Sequence, residues 1–226
     1  AVLVILLGTQ QVFAETLRSP NFTVDESFVG GGGQVNGSST NFKADSAVGE
    51  TGIGNSTSTG FQTNSGYITT SDPALTFVVN TSVINFGALS ASATATATST
   101  FSVINYTSYG YVVQTIGPPP GTGSYVLNGM SSSGPSQTGV EQYGINLRAN
   151  TSPVSFGANP GGGVGVAVGG YNSPDNFKYV TGDTIASAPK SSGQTNFTIS
   201  YIVNASNTTR GGTYTGTQSL ICTGTY

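Results

Sequence analysis

The chain has 226 residues and a formal net charge of −3, with charged side chains making up only 7% of it, against roughly 25% in an ordinary domain. No basic stripe is present, which argues against binding to nucleic acid or to an anionic membrane surface. Histidine and tryptophan are absent, removing the commonest general base and the commonest transition-metal ligand. Hydrophobic residues still reach 36%, so the chain is too rich in Val, Ile, Phe and Tyr to be disordered. The missing polarity is supplied by Ser, Thr, Asn and Gly, as in an extracellular β protein with hydroxyl-rich outer faces.

Residues 1–14 open with AVLVILLG and end on Val12-Phe13-Ala14. Small residues at −1 and −3 around a cut after Ala14 fit the remnant of a secretory signal peptide. The rival reading is a retained apolar helix of the pilin type. The run is too short to span a bilayer, so the mature chain is expected to have no membrane span and to be secreted or held at the cell surface.

Residues 15–73 carry a degenerate repeat with a period of about 20. Its copies are SPNFTVD around Phe22, STNFKAD around Phe42 and STGFQTN around Phe61. Each reads as a short strand bearing one Phe, with glycine-rich turns at 30–33 and 49–52 where φ > 0 is needed. The four consecutive glycines lack the helix and the Lys of a phosphate loop. One Phe per strand is too little for an independent core. The repeat is expected to lie as a meander on the main domain or to be donated to a neighbouring subunit, with Phe22, Phe42 and Phe61 as the candidate assembly residues.

Asp72-Pro73 marks the start of the main domain, 74–226. Leu75, Phe77 and Val79 predict a first strand, and 82–86 a second. In 91–105, ASATATATSTFSVIN, an Ala/Ser/Phe/Val face alternates with a Thr/Ser/Ile face. Only a pleated strand separates such a pattern into two faces, and this is read as the central strand with the Ala/Phe/Val side inward. Its expected partners are the rows Phe197–Val203 and Tyr214–Tyr226. A strand over 111–116 stops at Pro118-Pro119-Pro120, because proline cannot continue a ladder. Residues 142–149 predict another strand. Residues 150–190 read as a long Gly/Asn/Pro-rich excursion with weak strands at 164–168 and 177–180, and a loop of that length is usually functional or interfacial. The expectation is an all-β fold, an antiparallel immunoglobulin-like β-sandwich.

The segments SPNFTVDESFVGGGG, STNFKADSAVG, GIGNSTSTGFQTNSGY, SVINFGALS, TATATSTFSVINYTSYGYVVQ and the stretch from Tyr179 to Tyr226 resemble an uncharacterised group of secreted surface proteins from small-genome, uncultured bacteria. More remotely, GGTYTGTQSLI is similar to the final strand of spore-coat-U-like and pilin-like sandwiches. That resemblance implies assembly outside the cell by strand exchange.

Chemistry is sparse. Asp25, Glu26, Asp45, Glu50, Asp72, Glu141, Asp175 and Asp183 include no carboxylate pair flanked by aromatic sugar platforms. No D-x-D-x-D-G run points to calcium, although Asp175 and Asp183 are a candidate loop pair, and no G-x-S-x-G supports a serine nucleophile. The chain is therefore expected not to be an enzyme and to hold no cofactor or metal. Cys222 is the sole cysteine, which leaves no internal disulfide; it reads as a small core residue, with an intermolecular bridge as the alternative. Asn21, Asn36, Asn55, Asn80, Asn105, Asn150, Asn196, Asn204 and Asn207 begin N-x-S/T sequons, candidate glycosylation sites. Tyr106, Tyr109, Tyr111 and Tyr171 form a candidate contact surface, with half-buried strand aromatics as the alternative. Two functional readings stay open: a structural surface protein that assembles with copies of itself by β-strand pairing, as a filament or surface-layer subunit, and a monomeric adhesin that binds host or surface glycans through the 150–190 loops.

Overall fold

The computed structural model describes residues 74–106 and 109–225, together with residues 40 and 49 and the backbone of six short strands between 17 and 65. Residues 1–14, and with them the signal-peptide reading, lie outside the described residues. So do Asn21, Phe42 and Phe61.

The short strands are β1 (Leu17–Ser19), β2 (Phe22–Val24), β3 (Gly32–Ser38), β4 (Lys43–Val48), β5 (Gly54–Thr57) and β6 (Gln62–Ser65). They pair as three separate two-stranded ladders, β1–β2, β3–β4 and β5–β6. The repeat thus forms hairpins rather than a three-strand meander. Glycines 32 and 33, read from the sequence as turn, pair with Val48 and Ala47, because the ladder needs only backbone groups. Hairpins β1–β2 and β3–β4 fall in one compact unit and the strands from residue 71 onward in another, with β5 and β6 at the division.

The larger unit is an all-β, antiparallel sandwich, without helices among the described residues. Its strands are β7 (Leu75–Val79), β8 (Ala95–Asn105), β9 (Tyr111–Ile116), β10 (Gly121–Thr122), β11 (Tyr125–Val126), β12 (Gly134–Pro135), β13 (Gln142–Asn146), β14 (Gly161–Gly162), β15 (Val166–Ala167), β16 (Asn176–Phe177), β17 (Thr184–Ala188), β18 (Ser192–Asn204) and β19 (Ser219–Gly224). One sheet has the order β13-β18-β8-β7, with β14 also on β18; the other has the order β15-β17-β9-β19. Every ladder between them is antiparallel.

The β8–β18 ladder runs from Ser192↔Asn105 to Val203↔Ala95. Its register puts Phe101 opposite Phe197, and their rings stack with centroids 4.8 Å apart. Phe77 of β7 tilts against Phe101 at 5.7 Å. From the other sheet, Tyr111, Val113, Ile185 and Ala188 close the same core. The alternation read from 91–105 has the inward face assigned to it: Ser99, Phe101 and Val103 are buried. The strand begins at Ala95, however, because residues 90–93 form a turn closed by a Ser90↔Ala93 bridge. The two expected partner rows divide between sheets: Phe197–Val203 flanks β8, whereas β19 pairs with β9 in the facing sheet.

The excursion 150–190 is the larger departure. It supplies β17, an interior strand of the second sheet paired with both β9 and β15. Its sequence, TIASA, hides this because the apolar side chains are mostly alanines, although Ile185, Ala186 and Ala188 are all buried. The entry into β9 beside the end of β17 depends on Gly110, whose φ is +90° and whose Cβ would lie 1.8 Å from the Ala188 carbonyl oxygen. Only glycine meets both demands.

Phe101→Ala should lower the unfolding free energy by about 3–5 kcal/mol, whereas Val83→Ala, at a side chain 81% exposed, should change it by less than about 0.5 kcal/mol. Urea denaturation of both variants checks this.

Candidate functional site

The sequence predicts a second strand over 82–86, and the residues do lie with Ile84 and Phe86 half-buried and Val83 and Asn85 exposed. Yet no ladder forms there. Beyond Asn80, whose N–H donates to the Thr100 carbonyl at 2.9 Å, residues 81–89 make no backbone–backbone hydrogen bond among the described residues. Among the described residues the opposite chain, 211–218, is likewise held to a neighbouring backbone only where Thr215 exchanges hydrogen bonds with Gly121. The predicted strand over 213–226 therefore pairs only from Ser219 onward.

Between these two segments lies a groove of about 960 Å³. Ser99, Tyr201 and Val203 belong to its floor, Phe86 and Leu89 to one wall, and Tyr214 and Leu220 to the other. The small side chains of β8 are one reason for the space: Ala95, Ala97 and Ser99 succeed one another on the inward face where Phe101 and Val103 fill the core farther along. Phe86 meets the Tyr201 ring edge-on at 6.2 Å. A polar chain crosses the floor from sheet to sheet: the Ser99 and Tyr201 hydroxyls are 3.0 Å apart, Tyr201 donates to Gln218 Oε1 at 2.7 Å, and Gln218 Nε2 donates to Thr115 Oγ1 at 2.7 Å. At one end the Glu141 carboxylate accepts from Tyr125 Oη at 2.5 Å, Thr209 Oγ1 at 2.6 Å and the Asn128 N–H at 3.1 Å. Burial alone would raise its pKa, but these donors outweigh it and hold the carboxyl below its ordinary value.

Groups near the groove resist ionisation. Burial pushes the Tyr201 hydroxyl up to about 12, with the Ser99 hydrogen bond opposing. Burial likewise pushes the Cys222 thiol up to about 11. Cys222 is half-buried on β19 and packs against the core as a free thiol.

The other sequence candidates scatter. Tyr109 is 67% exposed, but Tyr111 and Tyr171 are fully buried, which corrects their place on a contact surface. Tyr111 is on the inward face of β9, and Tyr171 is turned inward by its hydroxyl, which donates to Asp183 Oδ2 at 3.0 Å and accepts from the Val180 N–H at 3.2 Å. Tyr106 is half-buried. Of the sequon asparagines, Asn80, Asn196 and Asn207 are exposed. Asn105, Asn150 and Asn204 are buried, which corrects their candidacy, since a glycan has no room on an amide packed inside the domain. Asn105 donates to the Lys190 carbonyl, Asn150 exchanges amide hydrogen bonds with Asn146, and Asn204 donates to Ser136 and Gln142. Phe22, Asn36 and Asn55 fall on β2, β3 and β5.

Asp175 and Asp183 hold different partners. Asp175, at φ 60°, accepts from the Ser152 and Thr151 N–H groups and from Thr151 Oγ1, which lower its pKa. Asp183 pairs with Lys178 at 2.7 Å. Among the described residues no group of three or more Cys, Asp or Glu side chains is placed to hold a metal ion. The sequence signal for the groove is the run of small inward residues from Ala91 to Ser99, which leaves one end of the core shallow and whose two ends line the groove, beside the strand-like segment 82–86.

The chain matches no protein-family model, no curated protein and no solved structure.

Because the Tyr201 and Cys222 values are raised in the fold, their stabilising contribution is complete below the unfolded values, near pH 9–10, and is lost as pH climbs toward 11–12. The urea midpoint should stay level from pH 7 to 8.5 and fall above about pH 9, with about 2 kcal/mol of the loss from Tyr201. Tyr201→Phe should make that alkaline slope less steep, with the Cys222 share remaining.

Proposed function

We propose that this protein is a structural subunit of the cell exterior that assembles with copies of itself, each sandwich receiving in its groove an extended segment of another copy. The observation that carries this reading is the unpaired, strand-like segment 81–89 along a 960 Å³ groove. Its side chains already alternate as in a strand, while among the described residues its backbone makes no backbone–backbone hydrogen bond and only the Gly87 N–H is taken up, by Asn85 Oδ1. An extended peptide added there would supply the missing ladder while its alternate side chains fill the space above Ser99, the β-augmentation mode of recognition.

The chemistry of the groove favours a segment like those of this chain. Arg210 is the one charged residue among its described lining residues, so a charged occupant would be desolvated without a partner. The chain itself is rich in uncharged, Phe-bearing segments such as Asn21-Phe22-Thr23-Val24 and Gly60-Phe61-Gln62-Thr63. Its N-terminal strands pair only two by two, and isolated hairpins are marginal in water. A strand passed between copies would serve both needs. Export to the cell surface is part of the same proposal and rests on residues 1–14 and on the hydroxyl-rich, charge-poor composition.

Sedimentation and electron microscopy of the full chain should reveal concentration-dependent oligomers or filaments. Ala88→Lys and Thr217→Lys, at exposed rim positions of the groove, should weaken assembly about tenfold or more by placing a charge where a strand must enter. Their thermal midpoints should stay near that of the parent chain. A chain that remains monomeric throughout, or rim variants that assemble like the parent, would overturn the proposal.

A further inference from the structure

A second cavity, of about 440 Å³, lies by β15, at the far end of the second sheet's strand order from β19. Arg148, Pro160, the backbone and side chains of 165–168, and Asn172 line it. Arg148 is the unusual member. Its backbone is fixed on both sides: the N–H donates to Asn146 Oδ1 at 3.4 Å, and the carbonyl accepts from Asn150 Nδ2 at 2.9 Å and Ser200 Oγ at 3.2 Å. Its guanidinium, by contrast, has no hydrogen-bond or ion partner among the described residues, and its Nε is buried with none. A guanidinium carries five N–H donors in a planar fork, and leaving one buried and unpaired is costly.

The opposite wall offers a further donor. In the β15–β17 ladder Val166 faces Ser187 and Ala167 faces Ala186, and the Val168 N–H donates to the Ile185 carbonyl at 3.0 Å. Alternation in an antiparallel ladder then turns the Ala167 N–H away from β17, toward the free edge. The loop leading into β15 is held in place by hydrogen bonds from Val164 N–H to Ser192 Oγ at 2.8 Å and from Gly165 N–H to Thr195 Oγ1 at 3.2 Å.

From this arrangement we infer that the Arg148 cavity is a binding site for a carboxylate-bearing ligand the size of a monosaccharide. The guanidinium fork matches a carboxylate in bidentate fashion, with the Ala167 N–H as an added donor. The Asn172 amide offers hydrogen bonds to hydroxyls, and Pro160, Val166 and Val168 give an apolar surface for C–H groups. The volume falls within the range of small-ligand sites, roughly 300–1,000 Å³. This site is separate from the groove, whose proposed strand exchange would use 81–89 and 211–218 instead.

The test is an NMR titration of the ¹⁵N-labelled full chain with glucuronate, succinate and glucose, the last as the neutral control. Saturable shifts of the Gly165–Val168 amides with glucuronate or succinate, but not with glucose, support the site. The tighter of the two acids tells whether an acidic sugar or a free organic acid is the better fit. Arg148→Gln should weaken binding about tenfold or more, and Arg148→Lys, which keeps the charge but loses the fork, should fall between. Both should retain the parent's amide spectrum outside the cavity. No saturation with either acid, an equal response to glucose, or undiminished binding in both variants would overturn the inference. Should Arg148→Gln fail to fold, Arg148→Lys and Asn172→Ala against the parent chain decide the matter.

Discussion

The sandwich rests on the pairing of β8 with β18 and on the Phe101–Phe197 stack that this register creates. These are the two longest strands, and a one-residue slip would turn every inward side chain of either to the wrong face. Once they are paired, β7 and β13 extend the sheet on either side, and the facing sheet can close over the aromatic end of the ladder. At the other end of β8 the inward residues shrink to Ser99, Ala97 and Ala95, and the facing chain 211–218 stays apart from 81–89. Small side chains on β8 are thus one contribution to the groove, beside the separation of 81–89 from 211–218.

With few charges to use, the domain is cross-linked by neutral hydrogen bonds. Asn146 and Asn150 exchange amide hydrogen bonds beneath the loops that follow β13, and the Ser99–Tyr201–Gln218–Thr115 chain ties sheet to sheet. Glu141 gathers three segments through its carboxylate. Such bonds are less sensitive to salt than exposed ion pairs. Against that background the unpaired Arg148 stands out, since other polar groups in the interior of this domain mostly have partners.

The two candidate sites have different physical logic. Along the groove, residues 81–89 make no backbone–backbone hydrogen bond among the described residues, and the complement proposed for it is an extended chain. The Arg148 guanidinium has no partner among the described residues, and the complement proposed for its cavity is a small acid. They have no lining residue in common.

The all-β class, the inward face of β8 and the pairing of Phe197–Val203 with it were legible in the sequence, because an alternation of period two with Phe and Val on one side has a single low-energy reading. The sequence also marked 82–86 as strand-like, correctly in side-chain pattern. What it could not say is that this segment enters no ladder among the described residues, for pairing depends on where a distant segment runs. The same limit hid β17, whose alanines carry little hydrophobic signal until β9 and β15 flank it. It also misplaced Tyr111, Tyr171, Asn105, Asn150 and Asn204, which look like surface residues by type and are buried by their position in the ladders and loops. Local pattern determined which residues could be strands and which face each would bury. Only the tertiary structure decided which strands found neighbours, because a hydrogen-bond ladder is a property of two chains brought together and not of either sequence alone.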